Sequence, residues 1–197
     1  MCDKEEKKLN GHNGDYGIYQ KNVITVPTEY DKNYRSILEF KTDPSLTINS
    51  KNHLVVICKN PSTATDKITD DTTNEIIRTM FLMGYKGFTL LNIYPERASK
   101  PKQLTKYNEK YVEQNVEEIK KYLDDNNEIT EIWGAWGDAK GQHLSSGKES
   151  LLKVLADKKI DIFYFGELTK SKNPCHPLNL IYPKFRQLSD KNYLLKY

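Results

Sequence analysis

The stretch His53-Leu54-Val55-Val56-Ile57-Cys58, followed at once by Lys59-Asn60-Pro61-Ser62-Thr63-Ala64, decides the reading of this chain. Six apolar-rich residues match the length of a buried strand, and the Asn-Pro pair that follows cannot continue a regular element. A buried strand that ends in a polar, proline-stiffened loop is the basic unit of an α/β fold. Read outward from there, the same unit repeats. Residues 73–83 carry Ile76, Ile77, Met80 and Phe81 on one helical face, with Thr72 and Glu75 placed as a capping box and Gly84 as the left-handed stop. Phe88–Ile93 reads as the next strand. Residues 103–123 form an amphipathic helix through Leu104, Tyr107, Tyr111, Ile119 and Leu123. Glu131–Trp133 is a third strand, Ser146 and Glu149 open a further helix, and Ile160–Phe165 is a fourth strand. Ahead of them, Arg35–Phe40 and Asn22–Val26 have strand character.

The order β-α-β-α-β-α-β predicts an α/β fold, a three-layer sandwich with a central, mainly parallel sheet. Residues 1–33 read as an N-terminal arm or short strands, and residues 34–197 as a single α/β domain. Hydrophobic residues make up 37% of the chain and charged residues 29%, a globular balance that leaves a wet surface. No apolar run approaches the roughly 20 residues that cross a bilayer, and the charged start Met1-Cys2-Asp3-Lys4-Glu5-Glu6 lacks a signal-peptide core, so a cytoplasmic location without membrane contact is expected. Three dispersed cysteines with no CxxC argue against a zinc site or a disulfide framework, and neither a metal nor a cofactor is expected. The net charge of +3 neither demands nor excludes nucleic acid.

Ligands of such sheets bind beyond the carboxyl ends of the strands. Four loops there hold the unusual polar residues. The first contains Asn60, Pro61, Ser62 and Thr63, then Asp70 and Asp71; it can aim an amide or backbone N–H groups at a ligand, or simply turn and cap a helix. The second runs from Asn92 through Arg97 to Ser99. An Asn at a strand end offers a donor and an acceptor that match a nucleobase edge, and Arg97 can hold a phosphate or carboxylate. The third is Trp133-Gly134-Ala135-Trp136-Gly137-Asp138, in which Trp136 either stacks on a base or packs the core and Gly137 permits close backbone approach. The fourth is Pro174-Cys175-His176-Pro177-Leu178, where His176 can donate a hydrogen bond to a developing anion or act as a general acid. No GxGxxG, Walker A, HExxH or GxSxG motif occurs.

Together these segments resemble a bacterial and phage family catalogued as domain of unknown function 1643. They are Asn60-Pro61-Ser62-Thr63-Ala64, Asp70-Asp71-Thr72-Thr73, Asn92 with Arg97-Ala98-Ser99, Ala135-Trp136-Gly137 and His176-Pro177-Leu178. Tyr34-Arg35 suits the family's opening, and the likeness runs from about Tyr34 to Pro183. Thr72 stands where that family usually has Pro. The motif order is also similar, more distantly, to the uracil-DNA glycosylase superfamily. That resemblance implies a polar residue near Asn60 positioning the attacking water, Asn92 reading a flipped base, and His176 stabilising the departing base. Cys58 and Leu178 depart from its usual Gly and small residue.

If the glycosylase reading holds, Asn60, Asp71 and His176 are the catalytic candidates, with Asp70 or Asp71 the better general base because an amide cannot take a proton. Pro61, Ser62, Thr63, Asn92, Arg97, Trp136 and Gly137 are the substrate-binding candidates, and Lys59, Lys140 and Lys172 add charge. The expected partner is DNA or a free nucleotide. Three functions fit: hydrolysis of an N-glycosidic bond at a damaged or modified base in DNA, an enzyme on free nucleosides or nucleotides in which Asp70 and Asp71 hold Mg²⁺, and a non-catalytic nucleobase or nucleic-acid-binding module.

Overall fold

The computed structural model describes residues 20–24, 34–43, 45, 47–64, 69–98, 103–138, 141–180 and 191–197. Its strands are β1 (Gln20–Ile24), β2 (Ile37–Lys41), β3 (His53–Cys58), β4 (Gly87–Asn92), β5 (Glu131–Gly134), β6 (Asp161–Tyr164) and β7 (Asn192–Leu195). Three helices alternate with the central strands: α1 (Asp71–Leu82) after β3, α2 (Glu109–Asp125) after β4 and α3 (Gln142–Asp157) after β5.

Among the described residues the seven strands form one sheet in the order β1-β2-β4-β3-β5-β6-β7. The β4-β3, β3-β5 and β5-β6 pairings are parallel, whereas β1-β2, β2-β4 and β6-β7 are antiparallel. The sheet is therefore mixed, and the expectation of a mainly parallel sheet is corrected. The helix-linked strands β3 to β6 are parallel because each crossover helix returns the chain to the same edge. Of the outer strands, β2 and β7 run the other way, whereas β1, antiparallel to β2, again runs in the direction of the central strands.

Period-2 alternation along the strands splits the core into two layers. Val55, Ile57, Leu91, Ile132 and Ile162 face α2 and α3, where Val112, Ile119, Leu123, Leu151 and Leu155 meet them. Leu54, Val56, Cys58, Phe88, Leu90, Trp133 and Phe163 face α1 through Ile76, Ile77 and Met80. Among the described residues no helix is long and apolar enough to cross a membrane.

Local details sharpen the sequence reading. Asp70, not Thr72, caps α1, accepting from the backbone N of Thr73 at 2.9 Å. Helix α3 begins at Gln142 after Gly141, so Ser146 lies inside it, where its hydroxyl oxygen accepts from Tyr107 at 3.1 Å. Gly84 has φ +77°, as its role as a left-handed stop requires. The strand expected at Asn22–Val26 is β1, shifted by two residues to Gln20–Ile24. Gly147 marks the tightest approach of α3 to the sheet: a Cβ there would sit 2.4 Å from the carbonyl oxygen of Ile93. Asn115 of α2 donates to that same oxygen at 3.2 Å and to the carbonyl of Asn92 at 2.8 Å.

Candidate functional site

A cavity of about 380 Å³ opens at the carboxyl edge of β3 and β4, over the α1 face. Its wall includes Lys59, Asn60, Ser62 and Thr63 from the loop after β3, with Asp70, Asp71 and Thr72 at the start of α1. Leu90 and Cys58 form its apolar floor. Arg35 enters from the segment before β2, Ala98 from the loop after β4, and His176 and Leu178 from the loop after β6. Five of the ten candidates read from the sequence thus share one cavity: Asn60, Ser62, Thr63, Asp71 and His176.

The loop after β3 is tied down from within. Asn60 Nδ2 donates to the carbonyls of Pro61 (3.0 Å) and Ala98 (2.7 Å), and Ala98 N donates to the Pro61 carbonyl at 2.8 Å. The loops after β3 and β4 are therefore stitched together at the cavity wall. Pro61 is buried and acts through this stitching, not as a lining residue. Asp70 is fully engaged as well: its carboxylate accepts from Thr73 N, Thr73 Oγ1 (2.8 Å) and Ala64 N (3.2 Å). That leaves Asp71, exposed in the first turn of α1, as the carboxylate at the rim.

His176 stands at the start of a 3-10 turn, Pro177–Asn179, with Nδ1 accepting from the backbone N of Leu178 at 3.3 Å. An accepting Nδ1 places the ring proton on Nε2. Burial, reinforced by the positive charge of Lys59 and opposed by Asp70, pushes the imidazole down to about 4. At neutral pH the ring is uncharged and presents an N–H donor. Gly137 supports this loop: its N–H donates to the Pro174 carbonyl at 2.9 Å, its φ is +64°, and a Cβ there would lie 3.3 Å from His176 Cβ. Gly137 is thus a backing for His176 and does not itself line the cavity.

Three other candidates are placed elsewhere. Asn92 is fully buried and its Nδ2 donates to the carbonyls of Arg35 and Ser36, both at 3.2 Å, pinning the start of β2. It is not among the lining residues and so does not share the cavity with Asn60 and His176. Trp136 is 1% exposed and packs in the α2/α3 core, with Nε1 donating to Asn173 Oδ1 at 3.2 Å. It is a core residue with a satisfied polar edge, not a stacking platform in the cavity. Arg97 spends Nη1 on the carbonyls of Ser62 (3.2 Å) and Ala64 (2.9 Å), bracing the loop after β3 from behind. Of the added lysines, Lys59 lines the cavity and donates to the Asp138 carbonyl at 3.0 Å, whereas Lys172 does not line it. Ser99 and Lys140 lie outside the described residues.

Arg35 is the residue that sequence reasoning missed. It is 0% exposed, donates through Nη1 to the Ala64 carbonyl, and keeps Nε and Nη2 without a partner. Burial, with Arg97 close by, lowers it to about 9, against the pull of Asp70. The signal was its position. Because β2 is antiparallel to β4, the beginning of β2, not its end, reaches the carboxyl edge. A search of the residues after each strand passes it by. Among the described residues no three His, Cys, Asp or Glu side chains gather to hold a metal ion.

Fold and site define a mixed α/β protein with a polar cavity at the carboxyl edge of its parallel strands. The chain belongs to the family described as protein of unknown function (DUF1643), whose model matches residues 45–178. That span is shorter at both ends than the motifs suggested, and Arg35 lies ahead of it. No curated protein and no solved structure matches the chain.

Proposed function

We propose that the cavity receives a nucleobase with its attached sugar and that the chain hydrolyses the N-glycosidic bond between them. The observation that carries this reading is the meeting of Asn60, Asp71 and a neutral His176 around one cavity of about 380 Å³. The order of the loop motifs supports a distant likeness to the uracil-DNA glycosylase superfamily, in a three-layer α/β architecture. Likeness of fold does not by itself transfer activity, so the case rests on the side chains.

On this reading the bond from C1′ to the base nitrogen breaks, and its electron pair passes to the base. His176 Nε2–H donates a hydrogen bond to the charge that develops there. With the ring lowered to about 4, this is a hydrogen bond and not a proton transfer. Water adds its oxygen to C1′, held by Asn60, and Asp71 accepts the water's proton. The base then takes up a proton from solvent, which completes the addition of one water across the bond. Asn92 and Trp136 have no part in this scheme. The polar wall of the cavity meets the base.

The test is release of free base, followed by chromatography, from oligonucleotides with altered bases and from free nucleosides and nucleotides, with protein in excess. His176→Ala should slow release by roughly 10²–10³-fold, the usual loss for one preorganised donor. Its melting temperature should stay within a few degrees of wild type. Binding of nucleosides without release from any substrate would reduce the reading to a binding module. Absence of both binding and release would end it.

A further inference from the structure

We infer that the cavity grips a terminal phosphate of its ligand through the buried guanidinium of Arg35, which makes a free nucleotide the substrate class. A buried cation costs several kcal/mol unless something pairs it. Arg35 is 0% exposed, and Nη1 alone has a partner, the neutral carbonyl of Ala64. The two nitrogens left over, Nε and Nη2, lie along one edge of the planar group. That edge is the fork that takes two oxygens of a phosphate or carboxylate side by side.

Among the described residues no carboxylate hydrogen-bonds to that fork. Asp70, the carboxylate whose charge acts on Arg35, is consumed by Ala64 N, Thr73 N and Thr73 Oγ1. Arg97 makes the shortage worse. It donates to the same Ala64 carbonyl at 2.9 Å, so two guanidinium groups share one neutral oxygen, and its Nε is also unpartnered. A ligand anion in the cavity supplies the partner that Arg35 lacks.

The rest of the wall favours phosphate over carboxylate. Ser62 and Thr63 bring hydroxyls to the cavity, and α1, twelve residues long, begins there with Asp71 and Thr72. Helix starts offer backbone N–H groups and a partial positive charge. These donors and the Arg35 fork together exceed what the two oxygens of a carboxylate accept. The carboxylates of Asp70 and Asp71 oppose an anion set against the helix start, which moves the phosphate toward Arg35. Complete burial of Arg35 decides the source. A phosphodiester in a strand backbone stays outside, whereas a terminal phosphate enters a cavity of about 380 Å³, a size suited to a small ligand.

The identity of the attached group rests on the nucleobase reading above, but the anion site does not, and the experiment separates them. Wild type is titrated with inorganic phosphate, a nucleoside, its 5′-monophosphate and an oligonucleotide without terminal phosphate, by calorimetry and thermal melting at constant ionic strength. Phosphate should raise the melting temperature where chloride does not. The monophosphate should bind roughly 10- to 100-fold more tightly than the nucleoside, the worth of a charged hydrogen-bonded fork. Arg35→Gln should erase that ratio and leave oligonucleotide binding unchanged. Equal melting in phosphate and chloride, with monophosphate and nucleoside bound alike by wild type, overturns the proposal even if Arg35→Gln fails to fold. An equal loss of oligonucleotide and monophosphate binding in Arg35→Gln overturns the terminal-phosphate source. A phosphate response without nucleoside binding keeps the anion site and removes the nucleobase.

Discussion

The carboxyl edge of the sheet has two halves with opposite polar habits. Over α1, polar side chains surround a cavity, and Arg35 keeps two donors unspent. Beside β5 and β6, the polar side chains close upon one another. Trp136 Nε1 and Lys148 Nζ both donate to Asn173 Oδ1, while Asn173 Nδ2 and Thr169 Oγ1 donate to Asp138 Oδ1. Both halves look alike in sequence, since each is a polar loop leaving an apolar strand. The difference teaches that a polar loop marks a site only where its hydrogen bonds are not settled internally.

The largest expected effect tests the closed half. Trp136→Ala removes a large side chain from the core and should cost about 3–5 kcal/mol of stability in urea melts. Any folded fraction should keep its affinity for cavity ligands. A Trp136→Ala protein that is stable but unable to bind would erase the distinction between the halves. A smaller effect comes from Asn173→Ala, which takes the acceptor from the buried Trp136 N–H and one donor from Asp138 Oδ1. The expected loss is about 1–3 kcal/mol, again with ligand binding retained.

The smallest effect belongs to the open half and depends on pH. His176 is lowered to about 4 and the buried His53 to about 3, both below the ordinary 6.5. The unfolded chain therefore takes up these protons first as pH falls, and stability drains away from about 6.5 down to about 4 for His176 and about 3 for His53. His176→Gln should flatten part of that acid slope in urea midpoints taken at several pH values. An unchanged slope would mean that His176 titrates normally and is wetter than the fold implies.

Much of this was legible in the residues. HLVVIC is β3 to the residue, and the apolar spacing of Ile76, Ile77 and Met80 placed α1 on its sheet face. Local patterns of that kind carry burial and period, and burial and period are what strands and helices need. Strand direction at the sheet edges is not local: nothing within Ile37–Lys41 says that it runs antiparallel to β4. Arg35 was hidden for that reason. Trp136 and Asn92 misled for a different one. Their partners, Asn173 and the Arg35 and Ser36 carbonyls, are distant in the chain, so a satisfied polar group and an available one look the same in sequence.

The oxygen of Ile93 sits between Asn115 of α2 and the bare Cα of Gly147 in α3, where even a methyl group has no room. The exit from β4 is thus wedged between two helices, and the described residues that follow it are held again at Ala98, whose carbonyl accepts from Asn60. The opposite bank is built with more slack: there the short turn bearing His176 and the half-exposed Leu178 is backed only by Gly137, where a Cβ would still stand 3.3 Å from His176 Cβ.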